Sequence, residues 1–317
     1  MENVSRHPGR HPAAHRGTGA QHRCSPAGND PENPGRQAVN PAAAEIARLQ
    51  DPDGCFPSEV LDREGRRPDC NGFTTALVLR QLRHLPDEVL PTRTYSAALD
   101  FLESCRSSQL EGAFGFRPET QRPAWAPRLP ADLDDTAILT LELLRAGRIS
   151  RRAGLRTVLT VLVPHRFSGR TGEIYPPWVM PGAFLTWVGK PGRRNVIDCC
   201  VNANAAALMA RVGGAGLPGY AEAVGTITQG VAWAGGQPSR QQAVTPFYPS
   251  IHGLHEAVEH AVECGVTDLG PTLARLRELA AGAPPARGCC CSAYGGTVWS
   301  CPALVAAQAL RRIQMSA

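Results

Sequence analysis

Residues 111–147 read EGAFGFRPETQRPAWAPRLPADLDDTAILTLELLRAG and contain one unit of the pattern that decides the fold. The unit begins with a glycine turn among aromatic residues and continues through an irregular loop rich in proline. It ends in an apolar segment that opens on three aspartates, which is typical of a buried helix with a capped N-terminus. The same order of features recurs along most of the chain.

Glycine turns beside aromatic or apolar residues follow one another at nearly constant spacing. The intervals between Gly54, Gly112, Gly172, Gly235 and Gly295 are 58, 60, 63 and 60 residues. Such a period exceeds that of the common solenoid repeats and fits two helices with two connections. The turns are DPDGCFP (51–57), EGAFGF (111–116), TGEIYPPW (171–178), GGQP (235–238) and YGGTVW (294–299).

Each turn lies between two predicted helices of different character. The helix before the turn is amphipathic, whereas the helix after it is rich in alanine and small apolar residues. We therefore expect an outer set and a more deeply buried inner set of helices. The outer set is AAAEIARLQ, RTYSAALDFLESCR, RAGLRTVLTVLV, YAEAVGTITQGVAW and TLARLRELAAG. The inner set is NGFTTALVLRQLRHL, DLDDTAILTLELLRAG, VIDCCVNANAAALMARV, IHGLHEAVEHAVECG and CPALVAAQALRRI.

The sequence predicts an all-α protein, because no alternating strand pattern longer than four or five residues competes with the helices. The simplest closure is a single α/α toroid of helical hairpins with a repeat of about 60 residues, whose inner helices line a central cavity. We assign this domain to residues 44–317. Residues 1–43 are rich in His, Arg, Pro, Gly and Asn and have little to bury, so we predict a disordered tail.

The composition excludes several classes of protein. The chain has 33 Lys+Arg against 28 Asp+Glu, without the compact basic block that a nucleic-acid surface needs. No apolar run reaches the roughly 18 residues of a transmembrane helix, and the N-terminus lacks the apolar core of a secretory signal. We therefore expect a cytoplasmic protein whose 11 cysteines are mostly free thiols. Peripheral membrane contact and the oligomeric state stay open.

The candidate chemistry is concentrated at Asp132, Asp134 and Asp135 in the segment DLDDTA. Capping a helix N-terminus uses one or two acids. Three carboxylates in four residues repel one another, and burial at a cavity mouth would raise at least one pKa. A carboxylic acid kept protonated near neutral pH is what protonation of a weak base requires. The residues alone support capping and general-acid catalysis about equally.

DLDDTA resembles the D-x-D-D-T-A motif of class II terpene cyclases. The turns LQDPDGCF and SSQLEGAFGF are similar, though degenerate, to the Gln/Gly/aromatic turn repeats of that toroid family. The resemblance covers residues 44–317 in architecture, and five hairpins are found where the family toroid has six.

This resemblance implies a terpene or meroterpenoid cyclase of isoprenoid biosynthesis that acts on a polyprenyl small-molecule substrate. Asp134 would protonate an alkene or terminal epoxide, while Asp132 and Asp135 would hydrogen-bond to Asp134 and tune it. Protonation requires no cofactor and no protein-bound metal, and Mg²⁺ remains an option for a diphosphate substrate.

Aromatic residues cluster between each glycine turn and the next inner helix. Their faces stabilise cations, by about 2 kcal/mol each when desolvated, so a cavity ringed by them would carry a carbocation through cyclisation. Packing of the loops at one end of the barrel also explains some of them. With two polar residues of the third inner helix, the predicted substrate-binding residues are Phe73, Trp125, Phe184, Trp187, Asp198, Asn202, Tyr248 and Trp299.

The loop 179–196 is the longest connection between a turn and its inner helix. It carries Lys190, Arg193 and Arg194 near two of the aromatic residues. The pattern predicts a lid or a clamp for an anionic head group, or else a solvated basic loop.

Asp198-Cys199-Cys200 carries a second resemblance, to the D-x-C spacing of protein prenyltransferase β subunits, which share the toroid. That resemblance implies a zinc site completed by His252 or His255 of the following repeat. Neutral His and thiolate Cys are suitable zinc ligands. A third alternative is a non-catalytic toroid that binds a lipid or a partner, in which the three aspartates only cap their helix.

Overall fold

The computed structural model describes residues 41–83, 91–169, 175–189, 195–293 and 296–315. Within these ranges it contains eleven α-helices and one four-stranded antiparallel sheet. The protein is therefore rich in helix but not all-α. All the described residues belong to one compact unit.

The helices follow the predicted hairpins. In chain order they are α1 (Pro41–Arg48), α2 (Gly72–Leu82), α3 (Thr92–Ser104), α4 (Leu133–Arg145), α5 (Arg151–Thr157), α6 (Cys199–Val212), α7 (Tyr220–Ala234), α8 (Pro238–Val244), α9 (Ile251–Glu263), α10 (Gly270–Ala281) and α11 (Pro302–Met315). A π-helical turn, Val158–Leu162, continues α5, and a short 3₁₀ turn, Thr267–Leu269, precedes α10. Ten of the eleven lie in the ten predicted segments, and α8 is the one that was not predicted.

The first helix begins slightly earlier than expected. We placed the domain boundary at residue 44, whereas α1 starts at Pro41. Most of the predicted tail lies outside the described residues.

Burial separates the inner helices from the outer ones, as the composition predicted. Every residue of α2 is buried, and so are Leu133–Leu143 in α4. In contrast, α3 buries only one face, which includes Ala98, Leu99 and Leu102. The inner helices α9 and α11 are less deeply buried than the other three.

The inner helices pack in the order α11–α2–α4–α6–α9. The two ends of this series, α9 and α11, are joined by hydrogen bonds from Gln308 to Glu256 and from Arg311 to Glu259. A cavity of about 620 Å³ is lined by residues of both helices. Among the outer helices, α1 packs on α11, α3 on α2 and α4, and α10 on α7 and α9.

A small sheet joins the beginning and the end of the domain. Its strands are β1 (Ser58–Asp62), β2 (Gly65–Asp69), β3 (Cys290–Cys291) and β4 (Val298–Ser300), in the spatial order β2-β1-β4-β3. In β1, Val60 lies opposite Trp299 of β4. The all-α prediction missed this sheet because the longest strands have five residues and β2 reads GRRPD, which has no apolar alternation.

One pair of cysteines departs from the expected free thiols. Cys55 and Cys70 form a disulfide that closes the β1–β2 hairpin at its base. The other eight cysteines of the described residues are not joined in disulfides, and most of them are buried. None of the helices in the described part of the chain is both long and apolar enough to cross a membrane.

Candidate active site

The three aspartates of DLDDTA lie at the N-terminus of α4. Asp132 is the N-cap, and its Oδ1 accepts the backbone N–H of Asp135 at 2.7 Å. The backbone of Asp132 also forms β-bridges with Phe114 and Trp187, which hold two glycine-turn segments beside the helix end. The capping interpretation is therefore correct for Asp132, and it leaves the carboxyl groups of Asp134 and Asp135 to be explained.

Asp134 is held by two side-chain donors from other parts of the chain. Its Oδ1 accepts a hydrogen bond of 2.8 Å from Nδ2 of Asn204 in α6, and its Oδ2 accepts one of 2.6 Å from the hydroxyl of Tyr248 before α9. Asn204 in turn accepts a hydrogen bond of 3.2 Å from Arg80 of α2. Three inner helices and the segment before α9 thus contribute to one hydrogen-bonded chain around this carboxyl group.

The three carboxyl groups have different environments. Burial raises the pKa of Asp132 to about 7, and the charge of Asp134 adds to this rise. Burial also raises the pKa of Asp134, although the hydrogen bonds from Tyr248 and Asn204 act to lower it. Burial and the neighbouring carboxylates raise the pKa of Asp135 well above its ordinary value, and neither of its oxygens has a hydrogen-bond partner. Burial without a hydrogen-bond donor favours the protonated form of a carboxyl group.

All three aspartates line a cavity of about 310 Å³. We call it the aromatic cavity, because six aromatic side chains form much of its wall. Several of them contact one another, with ring centroids 5.9 Å apart for Phe73 and Tyr248 and 5.4 Å apart for Trp187 and Phe247. The aromatic residues of the wall are Phe73, Phe116, Trp187, Phe247, Tyr248 and Trp299. Carboxyl groups of raised pKa and aromatic faces therefore meet in one space.

Four of the eight predicted substrate-binding residues line this cavity: Phe73, Trp187, Tyr248 and Trp299. The other four do not. Two of them form a structural pair, because the side chain of Asn202 bonds the backbone N–H and C=O of Phe184, and both residues are buried. These two stabilise the junction between a turn segment and α6 rather than the cavity wall.

Asp198 and Trp125 also have positions that differ from the predicted one. Asp198 is the N-cap of α6, where its carboxyl oxygens accept the backbone N–H groups of Cys200 and Phe247 at 2.7 and 3.1 Å. It therefore fixes the segment that carries two cavity aromatics without lining the cavity itself. Trp125 packs under guanidinium groups, 4.7 Å from that of Arg67 and 5.5 Å from that of Arg117.

Arg80 is the residue of this network that sequence reasoning missed. Its side chain is almost fully buried, and it lies near Glu142 as well as Asn204. The available signal was a charged residue inside the mostly apolar segment TALVLRQL. The basic residues Lys190, Arg193 and Arg194 of the predicted clamp lie outside the described residues.

Two of the predicted zinc ligands, Asp198 and His252, bond to the backbone instead. Both oxygens of Asp198 accept backbone N–H groups, and Nε2 of His252 contacts the backbone oxygen of Pro284 at 3.1 Å. Within the described ranges, three potential metal ligands come together only at Asp51, Cys55 and Cys70. Two of these are joined in the disulfide and offer no thiolate, so the group does not fit a metal ion.

Comparison with known proteins adds no assignment, since no protein-family model, curated protein or solved structure matches this chain.

Proposed function

We propose that the protein is a class II, protonation-initiated terpene or meroterpenoid cyclase built on a single α/α toroid. The toroid is supported by the packing order of the five inner helices and by the polar contacts between α9 and α11. The activity is supported chiefly by one observation: Asp134, held by Asn204 and Tyr248, lies in the wall of an aromatic cavity.

Asp134 is the proposed general acid. Its protonated carboxyl group donates the proton to the terminal alkene or epoxide of a polyprenyl chain. In the alkene case the π electron pair forms the new C–H bond, and the electron pair of the broken O–H bond stays on the carboxylate. The donors of Tyr248 and Asn204 stabilise this carboxylate, which makes Asp134 a stronger acid than burial alone would allow.

Asp132 and Asp135 lie close to Asp134, and their negative charges favour its protonated form. Three ionised carboxylates in one buried turn would repel one another, so protons are retained in the group at neutral pH. Burial and the charges of Asp132 and Asp134 raise the pKa of Asp135 well above its ordinary value, which favours its protonated form.

After protonation, the aromatic side chains of the cavity wall stabilise the carbocation. Ring faces stabilise a tertiary carbocation as it moves along the folded chain, and they exclude water that would quench it early. Among the rings of this wall, Phe116 contacts both Phe73 and Trp299, and Trp187 contacts Phe247.

The test is product analysis with purified protein and farnesyl diphosphate, geranylgeranyl diphosphate or an aryl-prenyl substrate. We expect cyclic products from the wild type and a loss of at least about 1,000-fold in Asp134→Asn, since the variant lacks the transferable proton. Asp268→Asn is the matched control, because it removes an exposed carboxylate from the surface.

Two results would overturn the proposal. If Asp134→Asn forms cyclic products at an unchanged rate, Asp134 is not the general acid. Stoichiometric zinc that is lost in Cys200→Ala, together with transfer of a prenyl group to a thiol, would instead indicate a prenyltransferase-like enzyme.

A further inference from the structure

A second cavity, of about 510 Å³, adjoins the aromatic cavity. We call it the outer chamber. The two cavities share Phe116, Arg117, Pro127 and Leu129, so one set of side chains forms the wall between them. Most of the outer chamber is lined by the proline-rich loop 117–131, which connects a glycine turn to α4.

The outer chamber differs from the aromatic cavity in its charge. Three arginines line it: Arg117, Arg122 and Arg128. The one acidic residue in its lining is Glu119, whose two carboxylate oxygens accept hydrogen bonds from the backbone N–H and the hydroxyl of Ser108. The acid is therefore turned to Ser108, and it forms no ion pair with these arginines among the described residues.

The three arginines differ in their hydrogen-bond and ion-pair partners. Arg117 is buried and donates two hydrogen bonds, of 2.6 and 2.8 Å, to the carboxylate of Asp69. Arg122 donates to backbone oxygens of its own loop, at Pro123 and Ala126. Arg128 is exposed and has no hydrogen-bond or ion-pair partner among the described residues. Two guanidinium groups are thus free of any carboxylate partner at the entrance of an apolar cavity.

We infer that the outer chamber binds the anionic head group of the substrate, through Arg122 and Arg128, while the apolar chain occupies the aromatic cavity. The inference rests on the proposed function for the identity of the chain, but the anion site itself can be measured without turnover. A diphosphate fits this site best, because planar guanidinium groups bind phosphate oxygens in pairs. The polar side chains of Ser107 and Gln109 also line the chamber.

Arg117 forms part of the chamber wall and does not bind the anion in this arrangement. Because Asp69 neutralises it, the guanidinium group serves as a fixed wall, 4.7 Å from the ring centroid of Phe116. The anion would therefore meet Arg122 and Arg128, which have no carboxylate partner among the described residues. Such a substrate would present its uncharged end to Asp134 and keep its charge in the solvated chamber, which avoids burial of the diphosphate.

The test measures binding of inorganic pyrophosphate by calorimetry, to wild-type protein and to Arg122→Gln/Arg128→Gln. We expect the Kd to rise at least tenfold in the double variant and to rise with ionic strength in the wild type, as charge-assisted contacts require. The control is Arg93→Gln/Arg211→Gln, which removes the same charge from two exposed positions that line neither cavity. Its Kd should match the wild type, and thermal melting checks that both variants are folded.

The inference would be overturned if wild-type protein fails to bind millimolar pyrophosphate, or if the two double variants lose affinity equally. A second measurement separates this outcome from failure of the proposed function. Cyclisation of a prenyl diphosphate and of the matching prenyl alcohol is compared, and the Arg122→Gln/Arg128→Gln variant should raise KM about tenfold for the diphosphate alone. If pyrophosphate binds as expected but no cyclic product forms, the anion site stands and the cyclase proposal fails.

Discussion

The hydroxyl of Tyr248 donates a hydrogen bond of 2.6 Å to Oδ2 of Asp134. This contact joins the segment before α9 to the N-terminus of α4 across the aromatic cavity. A phenol that donates to a carboxylate lowers the pKa of that carboxyl group, and here it opposes the effect of burial. The contact therefore adjusts how readily Asp134 releases its proton.

Tyr248→Phe should keep the aromatic wall and remove this donor. We expect the pKa of Asp134 to rise and kcat to fall about 10- to 100-fold, with KM nearly unchanged, because the weaker acid acts only in the chemical step. The pH dependence of kcat gives the readout, since the limb that reports ionisation of the acid should move to higher pH. A variant with the wild-type profile would contradict this assignment.

Asn204 is oriented by Arg80. A guanidinium group has donors only, so the Asn204 atom that faces Arg80 must be the amide oxygen, and the NH₂ group then faces Asp134. Asn204→Leu should slow turnover about tenfold or more and lower the free energy of unfolding by about 1–3 kcal/mol, because buried polar groups of Arg80 and Asp134 lose a partner. Urea denaturation and turnover measure the two effects.

A neighbouring amide supplies the control for that experiment. Asn202→Leu also removes a buried amide from α6, but Asn202 bonds the backbone of Phe184 and does not contact Asp134. It should therefore cost stability while it preserves the pH dependence of kcat. Equal shifts of the pH profile in both variants would show that the effect on Asp134 comes from general loosening of α6.

Asp132 should make the protein less stable as the pH rises. Its pKa is about 7 in the folded protein and near 4 in an unfolded chain, so the folded state binds more protons between these values. The free energy of unfolding then falls as the pH rises from about 4 to about 7, by at most about 4 kcal/mol for this group. Above pH 7 the loss is complete.

Asp132→Asn should reduce this slope and raise the free energy of unfolding at pH 8, even though it removes a proposed active-site residue. The amide oxygen still accepts the N–H of Asp135 and keeps the cap, while the buried charge is gone. Part of the slope should remain, because burial also raises the pKa of Asp198 to about 7. Asp268→Asn, at an exposed position, should leave the slope unchanged. An unaltered slope in Asp132→Asn would disprove the assignment.

Local pattern was sufficient to predict much of this fold. The segment DLDDTAILTLELL combines a capping residue with an apolar run longer than a strand, and it forms α4 with Asp132 as the cap. The buried inner helices and the amphipathic outer helices were predictable, because the pattern of apolar and polar residues that distinguishes them lies within about 15 consecutive residues. The sheet was not, since β1 and β4 are stabilised by pairing between opposite ends of the domain.

The residues of a functional site are harder to predict than the helices, because they come from distant parts of the chain. Asn204 and Tyr248 lie far along the chain from Asp134, and periodicity cannot show which residues of different helices will meet. Phe184 illustrates the converse error: an aromatic residue in a turn segment was placed in the cavity, whereas its backbone is fixed by Asn202 and its ring lies in the core. Composition predicts that aromatics will cluster, but only packing determines which of them face the cavity.

The Cys55–Cys70 disulfide should stabilise the cavity wall from outside. Cys70 directly follows Asp69. The carboxylate of Asp69 accepts a hydrogen bond of 2.6 Å from Nε of Arg117 and one of 2.8 Å from the indole N–H of Trp299. A cross-link over a separation of 15 residues stabilises a folded chain by about 3 kcal/mol. Cys55→Ser/Cys70→Ser should lower the free energy of unfolding by about this amount and alter the fluorescence of Trp299.

A reductant distinguishes the disulfide from simple packing of two small side chains. Dithiothreitol should lower the stability of the wild type to that of the double variant and have no effect on the variant itself. Cys264→Ser, which removes a free and half-buried thiol, should respond to dithiothreitol as the wild type does. If alkylation labels Cys55 before any reductant is added, the two sulfurs are not joined, and Asp69 must hold Arg117 and Trp299 without a covalent support.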